Sequence, residues 1–151
     1  MNIMGNKENR IQDLFRHLLK VRMGLRQVIM RELRGEGVEM NFETLQVLNR
    51  VRQTPGITQQ GLAEMTVRDK SSITSLVNKL ERGGLVTRTG DEEDRRNKRL
   101  YLSEEGERLA ETFKPVIDRV YEEIHSRMGC EKETELCIEY LNRMYEVLES
   151  M

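Results

Sequence analysis

Between Ile57 and Leu102 the spacing of apolar residues switches from helical to alternating, and Gly83-Gly84 marks the switch. Few folds accept that pattern. Ile73, Leu76, Val77 and Leu80 recur at i, i+3, i+4 and i+7. At about 100° per residue they form one buried stripe on a helix. Ser71, Thr74, Ser75, Asn78 and Arg82 fall on the opposite face. That face lacks the Glu/Lys pairs that support an ordinary solvated helix. Short hydroxyls and one amide let a helix lie deep in a groove, and they can exchange hydrogen bonds with base edges. Asp69 is placed to cap the helix, since its carboxylate can accept from the first free amides. Lys70 then stands at the positive end of the helix dipole, where an incoming phosphate would compensate it.

A shorter helix is expected just before. Thr58 is its N-cap, Ile57 and Leu62 form a hydrophobic staple across the cap, and Leu62, Ala63 and Met65 supply its buried side. Thr66 to Arg68 makes the turn. Two short helices so joined are a helix-turn-helix, whose second helix enters the major groove. Beyond Gly83-Gly84, Leu85 to Thr89 and Lys98 to Leu102 read as two strands, with Leu100 and Leu102 on one face and Arg99 and Tyr101 on the other. The loop between them, GDEEDRRN, is too charged to be buried. By itself it is a solvated charge run. Beside a helix-turn-helix it is a wing, whose Arg95 and Arg96 fit the negative potential of a narrow minor groove.

These residues resemble the winged helix-turn-helix of the MarR family of bacterial transcription regulators. The matching positions are Thr58-Gln59, Leu62-Ala63, Asp69-Lys70-Ser71, Leu76 to Glu81, Gly84-Leu85-Val86, Arg88, Asp94-Arg95-Arg96 and Leu102 to Gly106. The Asp-x-Arg wing followed by a strand and a Leu-Ser-x-x-Gly helix start is the most specific part. The resemblance implies that Asp94 braces the wing and that Arg96 reaches the minor groove. It also implies a homodimer formed by the terminal helices. A small aromatic or anionic effector would bind between those helices and the winged lobe, although nothing in the sequence identifies it.

The expected fold is mainly α with a small β-hairpin wing. Before the motif, Ile11, Leu14, Phe15, Leu18, Leu25, Val28, Ile29 and Leu33 give a first helix from about Glu8 to Leu33, after a frayed start at residues 1–7. Arg34 to Met40 is a break with two glycines. Asn41 caps a second helix to about Val51 with Phe42, Leu45, Val47 and Leu48 inside, and Thr54-Pro55-Gly56 is a turn. After the motif, Ser103 caps a fifth helix, with Glu104 and Glu105 in its first turn, where negative charge is favoured. Leu109, Phe113, Val116, Ile117, Val120, Tyr121 and Ile124 carry it to about Met128. The stripe keeps its phase across Pro115, which kinks the helix without ending it. Gly129 closes it, and a last helix follows with Leu136, Tyr140, Leu141, Met144, Val147 and Leu148 apolar. These terminal stripes exceed what a small winged domain can bury, so a second copy in two-fold symmetry is expected. Residues 1–33 and 104–151 are then the helical dimerisation region and residues 34–103 the DNA-binding domain.

Charge distribution agrees with that division better than the net charge of −1. Residues 1–103 carry 19 Lys/Arg against 13 Asp/Glu, and residues 104–151 carry 6 against 13. A basic part joined to an acidic one suits a protein with one surface for a polyanion. No run reaches transmembrane length and no signal peptide appears, so a soluble, cytoplasmic chain is expected.

The sequence offers no enzyme. The carboxylate cluster of Asp91 to Asp94 sits on a loop without a pocket. His17 and His125 stand apart from any Cys/His cluster, so neither a metal nor a cofactor is expected. There is no Gly-rich phosphate loop and no nucleophile elbow. Cys130 reads as a loop thiol and Cys137 as a buried small side chain. On one helix they would lie about 10 Å apart along its axis, too far for a bridge. Met65 and Met144 read as core or adaptable pocket lining.

The reading is a sequence-specific regulator, in this family most often a repressor. Ser71, Thr74, Ser75 and Asn78 would touch bases, with Lys70 near phosphate or base. Thr58, Gln59, Arg68 and Arg88 would hold phosphates, and Arg95, Arg96 and Lys98 would serve the wing. Two alternatives stay open: a winged-helix protein-interaction module with no preferred DNA, and a thiol-based redox-sensing regulator.

Overall fold

A computed structural model describes residues 3–90 and 98–151. Its elements are α1 (Ile3–Gly35), α2 (Phe42–Gln53), β1 (Ile57–Thr58), α3 (Gln59–Thr66), α4 (Lys70–Arg82), β2 (Val86–Thr89), β3 (Arg99–Leu102), α5 (Glu104–Met128) and α6 (Glu131–Ser150). The chain divides within α5 into two compact units, Met1–Ile117 and Asp118–Met151. The first helix begins at Ile3 rather than about Glu8.

In the first unit α2, α3 and α4 pack on a three-stranded antiparallel sheet of order β1-β3-β2. Leu45, Val47, Leu48, Leu62, Ile73, Val77, Leu80, Val86 and Leu100 fill the space between. Each such aliphatic side chain contributes about 1.5–3 kcal/mol when fully removed from water. Ile29 and Leu33 at the end of α1, and Phe113 and Val116 of α5, are buried as well. Two sequence expectations fail here. Met65 is 47% exposed, because α3 buries only Leu62 and Ala63. The hairpin also has a third strand: Ile57 lies opposite Leu100 and Thr58 opposite Arg99. Two residues are too short a run to show an alternation, so that strand has no signature of its own.

Caps fix the element ends. Asn41, Thr58 and Asp69 each accept a backbone N–H from three residues on, at Thr44, Gly61 and Ser72. The C-terminus of α4 is a Schellman motif. Gly84 takes φ +73°, its N–H bonds Glu81 O at 3.0 Å, and Leu85 N–H bonds Leu80 O at 3.0 Å. The same pattern ends α1 at Gly37. At α3 it recurs with Val67 in the left-handed position, φ 53°.

In the second unit α5 continues to Met128, Gly129 with φ +65° ends it, and α6 follows. No residue of α6 is buried. Leu136, Ile138, Tyr140, Tyr145, Val147 and Leu148 are all exposed. Cys137 is exposed too, contrary to the buried side chain expected, because α6 half-buries only Leu141 and Met144 and leaves its other residues exposed. Cys130 is half-buried at the helix start. No helix is long and apolar enough to cross a membrane among the described residues.

Candidate nucleic-acid interface

Helix α4 separates its two faces as its sequence requires. Ile73, Val77 and Leu80 are buried and Leu76 half-buried, while Lys70, Ser71, Thr74, Ser75, Asn78 and Arg82 are exposed. No carboxylate stands on that outer face between Lys70 and Asn78. The N-cap Asp69 is tied down by three hydrogen bonds, from Ser71 Oγ at 2.7 Å, Ser72 N at 2.8 Å and Ser72 Oγ at 2.8 Å. Those bonds stabilise the carboxylate and lower its pKa from 3.8 to about 2, with the Ser71 hydroxyl the largest cause. Ser71 thus spends its proton on Asp69 and keeps its lone pairs for an incoming donor.

The helix-turn-helix is stitched across its two helices. Gln59 Nε2 donates to Thr74 Oγ1 at 3.2 Å, and that hydroxyl donates to Lys70 O at 2.8 Å. Ser75 has no hydrogen-bond partner among the described residues. Thr58 serves as the α3 cap, its Oγ1 accepting from Gly61 N at 3.0 Å. Arg68 is turned inward: its Nη2 donates to Gln46 Oε1 of α2 at 3.1 Å, and its Nε is buried without a partner.

Arg88 is also turned inward. It stands opposite Leu100 in the hairpin and in phase with Val86, so its side chain lies on the inner face of β2. There it reaches the edge of α4, donating to Asn78 Oδ1 and pairing with Glu81 at 3.2 Å. The sequence carried a signal for this, since Val-Thr-Arg-Thr alternates from an inward Val86. Glu81 is the partner that sequence reasoning missed.

Lys98 is exposed at the foot of the wing. Asp94, Arg95 and Arg96, expected to brace the wing and reach the minor groove, lie outside the described residues. His17 and His125 are exposed; His17 Nδ1 meets Asp13 O at 2.7 Å, and His125 stands 4.0 Å from Glu131.

A cavity of about 580 Å³ opens within the first unit at the C-terminal end of α4. Met30, Val38, Leu80 and Leu85 make it apolar, and Arg34, Lys79 and Glu39 place two cations and one carboxylate at it. Thr44 lines it as well, with its hydroxyl buried and unpartnered.

Residues 39–97 match the profile of the MarR family. The chain is 33% identical over 98 residues to the transcriptional regulator HosA of Escherichia coli O157:H7, a stretch covering 65% of this chain and 72% of that protein. It is similar to the structure of a Staphylococcus aureus MepR–DNA complex, with 26% identity, 89% of this chain and 94% of that one covered, and a TM-score of 0.74. It is also similar to the crystal structure of MarR, with 28% identity, coverage of 93% and 98%, and a TM-score of 0.59.

Proposed function

The chain belongs to the MarR family of transcriptional regulators, and from that premise we propose that it binds double-stranded DNA as a homodimer on a near-palindromic operator, acting in the cytoplasm as a repressor. The observation that carries this reading is the outer face of α4. Four small polar residues stand exposed opposite the buried Ile73, Val77 and Leu80, with no carboxylate among them to repel a phosphate backbone. Residues 34–103 would meet the duplex. Residues 1–33 and 104–151 would pair two copies, which supplies a partner for the bare apolar side chains of α6. Two-fold symmetry then presents two copies of α4 to half-sites a helical turn or a multiple of it apart.

Ser71, Thr74, Ser75 and Asn78 are the base-contacting set, with Lys70 beside them near phosphate. Thr58, Gln59, Arg68 and Arg88 hold the register on the backbone, and Lys98, Arg95 and Arg96 serve the wing. Arg68 and Arg88 would have to exchange their internal partners to reach phosphate directly.

Control by a small aromatic or anionic effector completes the reading. The cavity at the end of α4 suits such a molecule, with an apolar wall for a ring and Arg34 and Lys79, against the single carboxylate of Glu39, for an anionic group. A ligand there that favours a different setting of α4 than DNA does lowers DNA affinity by linkage.

Selection of bound fragments from genomic DNA tests the proposal. The expected result is one preferred site with paired half-sites, and an affinity that falls steeply with salt. A protein-interaction module would select nothing, and that outcome ends the reading.

A further inference from the structure

We infer that α1 is part of the DNA interface, and that Arg22 is the residue of α1 that holds the phosphate backbone. The inference rests on the duplex-binding reading above and adds an element to that interface.

The charge of the basic part of the chain is unevenly placed. Residues 1–33 carry 7 Lys/Arg against 3 Asp/Glu, and residues 34–103 carry 12 against 10. Most of the positive excess therefore lies on α1 and not on the winged lobe. The acidic residues 104–151 could take up such an excess across a dimer, so the direction in which the cations face decides.

Arg22, Arg26, Ile29 and Leu33 are spaced i, i+4, i+7 and i+11 and share one face of α1. Ile29 and Leu33 are buried in the first unit. Toward the N-terminus the same face becomes the half-buried Arg26 and then the exposed Arg22. The side of α1 that packs on the lobe thus emerges from it as two arginines.

They emerge beside the helix-turn-helix. A cleft of about 500 Å³ joins Arg22 and Arg26 to Thr66, Val67 and Arg68, the turn that leads into α4 at Lys70. Its one carboxylate, Glu43, is matched by Arg26, which donates to it at 2.6 Å and lies over the Phe42 ring. Arg68 donates to Gln46. Arg22 meets no acceptor among the described residues. A guanidinium left free beside the start of α4 is placed for the phosphates that border the groove α4 enters, and its fork can hold one by two parallel hydrogen bonds. Such a contact adds affinity and fixes register, and it reads no base.

The test uses the full-length chain as the unaltered protein, Arg22→Ala, Arg22→Lys and Lys20→Ala. Each is put through selection from a randomised duplex pool, gel-shift titration across a salt series and sedimentation equilibrium. Arg22→Ala is expected to select the same site and to bind it more weakly, on the order of fivefold for each protomer. The salt slope of log K is expected to become shallower by about 1 for each protomer. Arg22→Lys is expected to restore most of that slope, since a cation still meets the phosphate. Lys20 lies on the opposite side of α1, so Lys20→Ala is expected to leave the slope unchanged. Arg22 is exposed, and its removal leaves the core intact.

An unchanged slope in Arg22→Ala would leave the cleft to solvent or to a small anion. An equal loss in Lys20→Ala would mean that α1 acts by its field and not by a contact. A monomeric Arg22→Ala would place the residue in the dimer. Each of these outcomes overturns the inference while DNA binding stands. A selection that yields no site with the unaltered protein removes both.

Discussion

A Cβ placed on Gly106 would lie 2.2 Å from the carbonyl oxygen of Leu85. The first turn of α5 therefore rests directly on the backbone that links α4 to the wing. Ser103 holds the same junction: its N–H bonds Leu85 O at 3.0 Å, its hydroxyl donates to Gly84 O, and it accepts from Gly106 N at 3.0 Å. The Leu-Ser-x-x-Gly run at 102–106 is in this way the joint between two helices. Gly106→Ala must push the backbones apart and should cost about 1–3 kcal/mol, the usual range for overpacking. Denaturant unfolding checks this; a midpoint equal to that of the unaltered protein would show that the joint yields freely.

Val67 makes the turn of the helix-turn-helix at φ 53°, ψ 47° with its side chain 70% exposed. A left-handed conformation costs an L-residue roughly 1–2 kcal/mol, and a β-branched one is a poor occupant. Glycine removes that strain but adds freedom to the unfolded chain, worth roughly 0.5–1 kcal/mol. Val67→Gly should therefore raise stability by a few tenths to about 1 kcal/mol. A lowered unfolding midpoint would mean that Val67 packs against something the strain argument omits.

Asp69 gives a pH signature. Its folded pKa is about 2, below the ordinary 3.8, so the folded state favours the carboxylate. The unfolded chain takes up the proton first as pH falls. The capping contribution is therefore complete above about pH 4, shrinks as pH drops toward 2, and is gone below that value. Asp69→Asn carries no titrating charge there. Melting temperatures at pH 5 and pH 2.5 should fall further in the unaltered protein than in Asp69→Asn; equal falls would remove Asp69 from the acid response.

Arg96→Ala should weaken operator binding with the fold intact. Loss of one cation from the DNA interface reduces the salt slope of log K by about 1. Gel-shift titrations across a salt series measure both quantities. Unchanged binding would withdraw the minor-groove role of the wing.

Leu148 is 53% exposed on α6, beside an exposed Val147. If a second copy covers that helix, Leu148→Glu puts a charge into the contact and should drive the protein to monomer in sedimentation equilibrium. Operator affinity should fall with it, since two half-sites are then no longer held together. A dimer that survives the substitution would place the pairing surface elsewhere.

Much of this protein was legible without coordinates, because its signals are local. The caps Asn41, Thr58, Asp69 and Ser103, the stop at Gly83-Gly84 and the stripe of Ile73, Val77 and Leu80 depend on neighbours within a turn or two. What tertiary structure alone decided were contacts between residues far apart in the chain. The pairing of Ile57 with Leu100, the inward turn of Arg68 onto Gln46, and the bare backbone surface at Leu85 that only Gly106 fits are of that kind. Met65 and Cys137 sat at helical spacing yet stay exposed, because a stripe states which face is apolar and not how much of it a neighbour covers. Arg88 is the instructive middle case. Its phase along β2 was already fixed by alternation, but that its guanidinium would end on Asn78 and Glu81 followed only once strand and helix were packed together.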